Sequence, residues 1–332
     1  MPETNHQILL VSRPKGAATA ANFRMVAVPL APLAEGEVRV RNHFLSLDPY
    51  MRGRMNDRKS YAPPQALGEV MQGGTVGEVV ESRNPAWRPG DTVVAMFGWQ
   101  EYGVSDGSGM RKVDATKVPL SAYLGAVGMP GVTAWYGLHR ICGPRAGETV
   151  AVSAASGAVG SVVGQLAKRL GCRAVGIAGG PEKCRYVVEK LGLDACVDHK
   201  AGRLEADLGA AAPDGIDAYF DNVGGTVLDA AMLSMNAHGR IAICGAIAGY
   251  DGQPLRMANP TLILTSRLRI EGFIVSEHME DWSAALEELG GLVAAGDLKF
   301  RESVALGLMS APEAFLGMLK GRNFGKQLVT LI

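Results

Sequence analysis

The rhythm of apolar and polar positions changes once along the chain, near Leu124. Before it, short apolar runs at Gln7–Val11, Glu37–Leu47, Gly74–Val80 and Asp91–Phe97 are separated by Pro- and Gly-bearing clusters, which predicts a β-rich region. Trp87-Arg88-Pro89-Gly90-Asp91 reads as a turn feeding the strand Thr92–Ala95. The stretch Gly73-Gly74-Thr75-Val76-Gly77 carries three glycines, a pattern of bulges or close backbone approach.

From Leu124 to about Gly296 the pattern alternates between strand and helix. Thr149–Ser153 is a short β run. Ala158–Leu170 places Val159, Val162, Val163, Leu166, Ala167 and Leu170 on one helical face, and Gly171 ends it. Ala174–Ala178 is a second strand, and Pro181–Leu191 a second helix with Pro in its first turn and Gly192 after it. Further strands are expected at Ala195–Asp198, Ala218–Asn222, Arg240–Cys244 and Arg269–Val275. Such alternation implies an α/β fold, a doubly wound parallel sheet with helices on both faces. The tail reads as a helix at Ala311–Lys320 and a strand at Lys326–Leu331, expected to return to the first region. The domain reading is therefore 1–123 completed by 297–332, with 124–296 between them.

Composition narrows the class. With 332 residues, 47% of them apolar, a sizeable core can be buried. Its 33 basic and 33 acidic side chains cancel, so no broad field draws nucleic acid or an anionic membrane. No apolar stretch reaches the length of a membrane span, and residues 1–16 lack a secretory pattern; the expected compartment is the cytoplasm. The five cysteines, Cys142, Cys172, Cys184, Cys196 and Cys244, show neither a disulfide framework nor a paired metal spacing. Cys172, Cys196 and Cys244 read as small core residues.

Candidate chemistry centres on Ser153-Ala154-Ala155-Ser156-Gly157-Ala158-Val159-Gly160, between a strand and a helix. Against the dinucleotide pattern G-x-G-x-x-G, Ala155 stands at the first glycine, while Gly157 and Gly160 fill the others. Gly157 lets backbone approach a pyrophosphate, Gly160 lets the helix pack on the strand, and the helix N-terminus offers N–H groups to the anion. The second strand ends in Ala178-Gly179-Gly180, without the acid that holds a ribose diol, and Lys183 follows in the next helix. That pattern selects NADPH over NADH. No Cys precedes Cys142, and the only early histidines are His6 and His43, so no three-ligand zinc site can be drawn from the first region; the expected metal is none. Hydride addition to a conjugated enone suits such a site, because hydrogen-bond donors alone can stabilise the enolate oxygen. Three tyrosines are candidate donors: Tyr250 beyond a strand's carboxyl end, then Tyr61 and Tyr50 in loop-like stretches.

Several segments in one order carry a wider resemblance. They are Leu45–Met55, Gly128–Ala134, Ala154–Gly160, Ala178–Lys183, Tyr219–Gly225, Arg240–Gly245, Glu271–Val275 and Lys320–Lys326. Together they resemble the medium-chain dehydrogenase/reductase superfamily, in its zinc-free branch of alkenal/one double-bond reductases and prostaglandin reductases, bacterial curcumin reductases included. The resemblance implies a Rossmann NADP-binding domain plus a β-rich GroES-like catalytic domain, acting as a homodimer on a small enal or enone. It also implies cofactor contacts from Thr133, from Ser156, Gly157, Ala158 and Val159 at the pyrophosphate, and from Lys183 and His199 at the 2′-phosphate. Asn222, Cys244, Gly245, Ala246, Ile247, Tyr250, Phe273, Ile274 and Val275 would border the ribose and nicotinamide, with Asn323 reaching in from the tail. Eukaryotic members often carry Tyr at the place of His199. The alternatives are an NADPH quinone reductase of the same superfamily, separable by turnover on a benzoquinone against a simple enone, and a non-catalytic NADPH-binding protein.

Overall fold

A computed structural model describes residues 4–332, so the first three residues of the N-terminal stretch lie outside it. The chain divides into two compact units, Met1–Gly125 with Glu302–Ile332, and Ala126–Arg301.

In the first unit, β1 (Thr4–Leu10) pairs antiparallel with β2 (Phe23–Pro29). β3 (Val38–Leu47) leads into the short helix α1 (Tyr50–Arg54), followed by β4 (Thr75–Ser82), β5 (Thr92–Ala95), β6 (Tyr102–Ser105) and β7 (Arg111–Lys112). The second unit opens with α2 (Met129–Tyr136), which continues into a π-helical turn at Gly137–Cys142. It then alternates: β8 (Thr149–Ser153), α3 (Gly160–Arg169), β9 (Arg173–Ala178), α4 (Pro181–Glu189), β10 (Ala195–Asp198), α5 (Leu204–Ala211), β11 (Ile216–Asp221), α6 (Gly225–Leu233), β12 (Met235–Ile243), α7 (Thr261–Thr265), β13 (Arg269–Gly272) and α8 (Trp282–Ala294). The chain finishes in the first unit with β14 (Glu302–Leu306), α9 (Ala311–Leu319) and β15 (Lys326–Thr330).

The second unit is a doubly wound sheet in the order β10-β9-β8-β11-β12-β13, parallel throughout. β8 is buried at every position, as a central parallel strand covered on both faces must be. The order reverses between β8 and β11, and ligands of such sheets bind outside the strands' carboxyl ends at that reversal. The first unit carries a seven-stranded mixed sheet, β14-β15-β3-β4-β5-β7, with β6 also on β3. The tail strand β15 runs antiparallel to β3, Gln327 opposite Leu47. Beside this sheet, Phe23 stacks on Trp99 at 5.4 Å, and Phe315 meets Trp99 edge-on at 5.5 Å. Among the described residues no helix is long and apolar enough to cross a membrane.

Local differences from the sequence reading have identifiable causes. Tyr50 does not sit in a loop but opens α1. Pro49 holds φ −58°, already helical, and the carbonyls of Asp48 and Pro49 accept the Met51 and Arg52 N–H groups at 3.1 Å each. Helix α3 starts at Gly160 rather than Ala158, because residues 154–159 are spent on a tight turn. β13 ends at Gly272, so Phe273–Val275 lies beyond the strand rather than within it. Cys244 likewise falls just past β12.

A buried ion pair ties tail to spine. Lys326 is 4% exposed; its ammonium donates to the Leu47 carbonyl at 2.9 Å and pairs with Asp48, whose other oxygen accepts the Ser46 hydroxyl. Two buried charges survive only when each is satisfied by the other and by further hydrogen bonds. Replacing Lys326 with Met strands the Asp48 carboxylate. Lys326→Met should lower the free energy of unfolding by about 3–5 kcal/mol in urea titrations. Adding Asp48→Asn should recover much of that loss; a double variant no better than the single one would contradict the pairing.

Candidate functional site

The reversal point of the parallel sheet gathers three loops. The first follows β8. Its residues Ala154–Val159 turn tightly, with the Gly157 N–H donating to the Ala154 carbonyl at 2.8 Å. Ala154 holds φ +50°, a left-handed conformation that costs a non-glycine residue about 1–2 kcal/mol. Ala155, in the first-glycine place, is fully buried. A Cβ on Gly160 would stand 2.4 Å from the Ala154 carbonyl oxygen, so only glycine lets α3 seat against this turn. Ser156 is buried, while Gly157, Ala158 and Val159 are half-buried along the turn. Thr133 lies on α2, its hydroxyl donating back to the Met129 carbonyl at 2.7 Å.

The second loop follows β11. Asp221 is fully buried and accepts four hydrogen bonds: from the Ser153 hydroxyl at 2.9 Å, the Tyr219 hydroxyl at 3.0 Å, and the N–H groups of Val223 at 3.0 Å and Gly224 at 2.9 Å. Asn222 donates its side-chain amide to the Ser153 carbonyl and its N–H to the Ser153 hydroxyl, both at 2.8 Å. The ends of β8 and β11 are thereby locked together. Sequence reading passed over Asp221, although an acid closing the apolar run Ala218-Tyr219-Phe220 was the available signal.

The third loop follows β12. The Cys244 and Gly245 N–H groups donate to the Asp221 carbonyl at 2.8 and 3.2 Å, and Ala248 N–H to the Val223 carbonyl at 3.1 Å. Tyr250 ends the short 3₁₀ turn Ile247–Gly249, and its hydroxyl oxygen accepts the Ala246 N–H at 3.4 Å. A cavity of about 360 Å³ opens here, lined by Ile243–Ala246, Tyr250, Gly272–Ile274 and Glu277. Its size falls in the range of small-ligand sites. Cys244, Gly245, Ala246, Tyr250, Phe273 and Ile274 are thus brought together. Val275 stands behind them, buried in the core, with its carbonyl accepting the Trp282 indole N–H at 3.0 Å. Ile247 is half-buried and not in the lining. Burial pushes the Cys244 thiol up to about 12, so it lines the wall as a neutral group. Glu277 is a lining residue that sequence reasoning did not single out.

At the far side of the turn, β9 runs out into Gly179-Gly180 and α4 begins. Lys183 occupies the first turn of α4; desolvation and then the neighbouring Lys200 ammonium hold its pKa below the usual lysine value. His199 follows β10, and its N–H donates to the Ala178 carbonyl at 3.0 Å. Lys200, which sequence reasoning also missed, sits beside it.

The remaining candidates lie in the first unit. Tyr50 is half-buried at the start of α1; burial, then the Asp48 carboxylate, keeps its phenol protonated well beyond neutral pH. Tyr61 is 52% exposed, with the Arg54 guanidinium 5.6 Å from its ring centre. Asn323 turns its amide to the Gly325 carbonyl at 2.8 Å. His43, read as structural, lies in β3, its carbonyl accepting the Leu331 N–H at 2.8 Å. Among the described residues no three His, Cys, Asp or Glu side chains gather as a metal-ion site. The second unit can therefore offer a glycine turn to a pyrophosphate, a basic patch to a further anion, and a walled cavity to a planar ring.

Both units resemble known proteins. Residues 6–113 match a family described as the N-terminal domain of oxidoreductase, and residues 158–290 one described as zinc-binding dehydrogenase. The chain is 44% identical over 340 residues to the NADPH-dependent curcumin reductase of Escherichia coli, covering 98% of this chain and 97% of that protein. It is 42% identical over 336 residues to the NADP(+)-dependent 2-alkenal reductase of Nicotiana tabacum, covering 98% and 97%. The crystal structure of CurA from Vibrio vulnificus in complex with NADPH superposes with a TM-score of 0.94 at 43% identity, covering 98% of this chain and 99% of that one.

The steric reading of the glycine turn makes a paired prediction. Gly160→Ala should destabilise the protein by about 1–3 kcal/mol, because its methyl group would meet backbone atoms that cannot move aside. Gly291→Ala, in α8 with nothing within 4 Å, should instead stabilise by about 0.5–1 kcal/mol. Thermal unfolding of both variants checks the contrast; shifts of the same sign would refute it.

Proposed function

The chain belongs to the medium-chain dehydrogenase/reductase superfamily, in its branch of curcumin, prostaglandin and 2-alkenal reductases, and on that premise we propose that it uses NADPH to reduce the carbon–carbon double bond of α,β-unsaturated aldehydes and ketones. The observation that carries this reading is the cavity beyond β12, with the Tyr250 hydroxyl on its wall and the glycine turn at the head of the same sheet. The residues present fit the cofactor. A glycine at 157 leaves the turn open, a glycine at 160 lets α3 point its N-terminus at the crevice, and β9 ends without an acid to repel a 2′-phosphate.

NADPH, when bound, supplies the hydride. On this reading Ser156–Val159 hold the pyrophosphate, Lys183 and His199 hold the 2′-phosphate, Asn222 meets the ribose, and Cys244–Ala246 with Phe273 and Ile274 form the wall against the nicotinamide. Hydride reaches the β-carbon of the enone and electron density moves to its carbonyl oxygen. Tyr250 donates a hydrogen bond to that oxygen, where negative charge grows in the transition state. A proton from solvent completes the saturated product at the α-carbon. No metal is called on. The first unit contains no cysteine, and one phenol donor is an adequate electrophile for a conjugated carbonyl. The five cysteines are free thiols, as suits the cytoplasm. The open outer edge of β13 supports a homodimer, since an exposed sheet edge is a template for pairing with its symmetry mate.

Three measurements test the reading. Tyr250→Phe keeps the ring and removes the donor, so turnover should fall by about one to three orders of magnitude with a smaller change in the Michaelis constant. Deuteride from labelled NADPH should appear on the β-carbon of a saturated aldehyde or ketone; an allylic alcohol would refute the mechanism. Dialysis against a strong chelator should leave activity unchanged, and recovery on adding zinc to a dialysed, inactive enzyme would overturn metal independence.

A further inference from the structure

Three basic side chains, Lys183, His199 and Lys200, meet where β9 and β10 end. His199 and Lys200 lie across the backbone of Gly179: a Cβ built there would stand 2.8 Å from His199 Nε2 and 3.0 Å from Lys200 Cε. Their position is fixed by one carboxylate. Asp198 accepts the Gly180 N–H at 2.8 Å and the Lys200 N–H at 2.9 Å through the same oxygen, knitting the two turns together. Lys183 enters from α4, next to that helix's N-terminus, where a cation is disfavoured by the helix dipole. Asp198 attracts both His199 and Lys200, and Glu182 attracts Lys183. Two ammonium groups that repel each other, one of them also against a helix dipole, and an imidazole beside them form a site complementary to a compact dianion.

We propose that Lys200 joins Lys183 and His199 as a third cation of a cradle for the 2′-phosphate of NADPH, and that His199 takes up a proton as this group enters. This deepens the function proposed above and rests on it. In the free protein, partial desolvation against Gly179, then the Lys200 ammonium, favours neutral His199; Asp198 opposes them, and Lys183 adds a smaller push in the same direction. Its pKa therefore lies below the usual histidine value, and at neutral pH the imidazole is uncharged. A phosphate monoester has its second pKa near about 6 and enters as a dianion at neutral pH. Placed beside the ring, it reverses the local field and stabilises the imidazolium, which donates a charge-assisted hydrogen bond. NADH carries no such group and draws no proton. The sign follows: the contribution of His199 to NADPH affinity is fully present below its free-state pKa, where protonation of the phosphate itself, with its second pKa of about 6, opposes it. It weakens as pH rises from there to the bound-state pKa, by at most about tenfold per pH unit. Preference for NADPH over NADH falls over the same window.

The test uses the intact enzyme and the oxidised cofactors NADP+ and NAD+, so that no turnover intervenes. Calorimetric titrations slightly above neutral pH, in buffers of different protonation enthalpy, report protons exchanged on binding. Wild-type protein should take up a fraction of a proton with NADP+ and none with NAD+. His199→Gln keeps a polar group but cannot titrate: it should lose the uptake and flatten the pH dependence of the NADP+ dissociation constant, with NAD+ binding unchanged. Lys200→Ala should weaken NADP+ about tenfold and leave NAD+ alone. Uptake that is absent in wild type, or that persists in His199→Gln, would overturn the proton linkage. Equal weakening of both cofactors by Lys200→Ala would overturn the role of that residue. Lys183→Ala separates the two levels: if it leaves NADP+ binding intact, the 2′-phosphate assignment itself is wrong and the cradle falls with it.

Discussion

The Asp221 carboxylate is the constraint on which the site in the second unit depends. A fully buried acid is tolerated only when its charge is met on every side, and here two hydroxyls and two backbone N–H groups converge on it. The Ser153 hydroxyl reaches it from β8, Tyr219 from its own strand, and Val223 and Gly224 from the loop it opens. Its main-chain carbonyl also accepts the N–H groups of Cys244 and Gly245 after β12. One residue thereby sets the relative positions of three strand ends. A sheet reversal creates a crevice in any protein of this topology. What makes this crevice a defined site is that its three loops cannot shift independently without leaving a buried charge or donor unsatisfied.

The same economy of charge operates at the edge of the crevice. The chain as a whole carries no net charge, so the protein has no long-range field with which to collect an anionic cofactor. Selectivity must come from a few local groups. Asp198 illustrates how. It could neutralise the neighbouring bases, yet its carboxylate is turned to the N–H groups of Gly180 and Lys200 and serves as a clamp between two turns. Those hydrogen bonds, first the one from Gly180, hold its own pKa below the ordinary carboxylate range, so it remains a clamp throughout the neutral range.

Much of the second unit was legible because its constraints are steric and apolar. β8 at Thr149–Ser153 and β10 at Ala195–Asp198 match the sequence reading to the residue, since short apolar runs bounded by turns leave little choice of register. Gly160 was readable because only glycine fits against the Ala154 carbonyl. Other features left no such trace. β2 at Phe23–Pro29 is largely exposed, so its apolar residues follow no buried pattern. The left-handed turn at Ala154 is invisible because alanine is a residue that disfavours it. Lys200 looks like any surface lysine. What gives it meaning is the register that sets Asp198 beside Ala178, and register between non-adjacent segments is a tertiary property. Tyr50 was read as a loop residue because Pro49 suggests a break, whereas proline at a helix start favours the turn that follows.

The phenols can be ordered by what surrounds each oxygen. Tyr61 is solvated, and water competes for any hydrogen bond it offers. Tyr50 is held protonated by burial and by the nearby Asp48 carboxylate, so it can donate a hydrogen bond but resists giving up its proton. Tyr250 differs in that its oxygen accepts the Ala246 N–H while lining the cavity. An oxygen that accepts from an amide is polarised toward donating through its own hydrogen. That amide belongs to the loop anchored on the Asp221 main-chain carbonyl, so the orientation of the phenol depends on the same residue at the end of the neighbouring strand. In the proposed mechanism, a donor fixed in this way need not reorganise as charge develops on a substrate oxygen. Preorganisation of that kind is the principal means by which a site without a metal ion can stabilise an enolate.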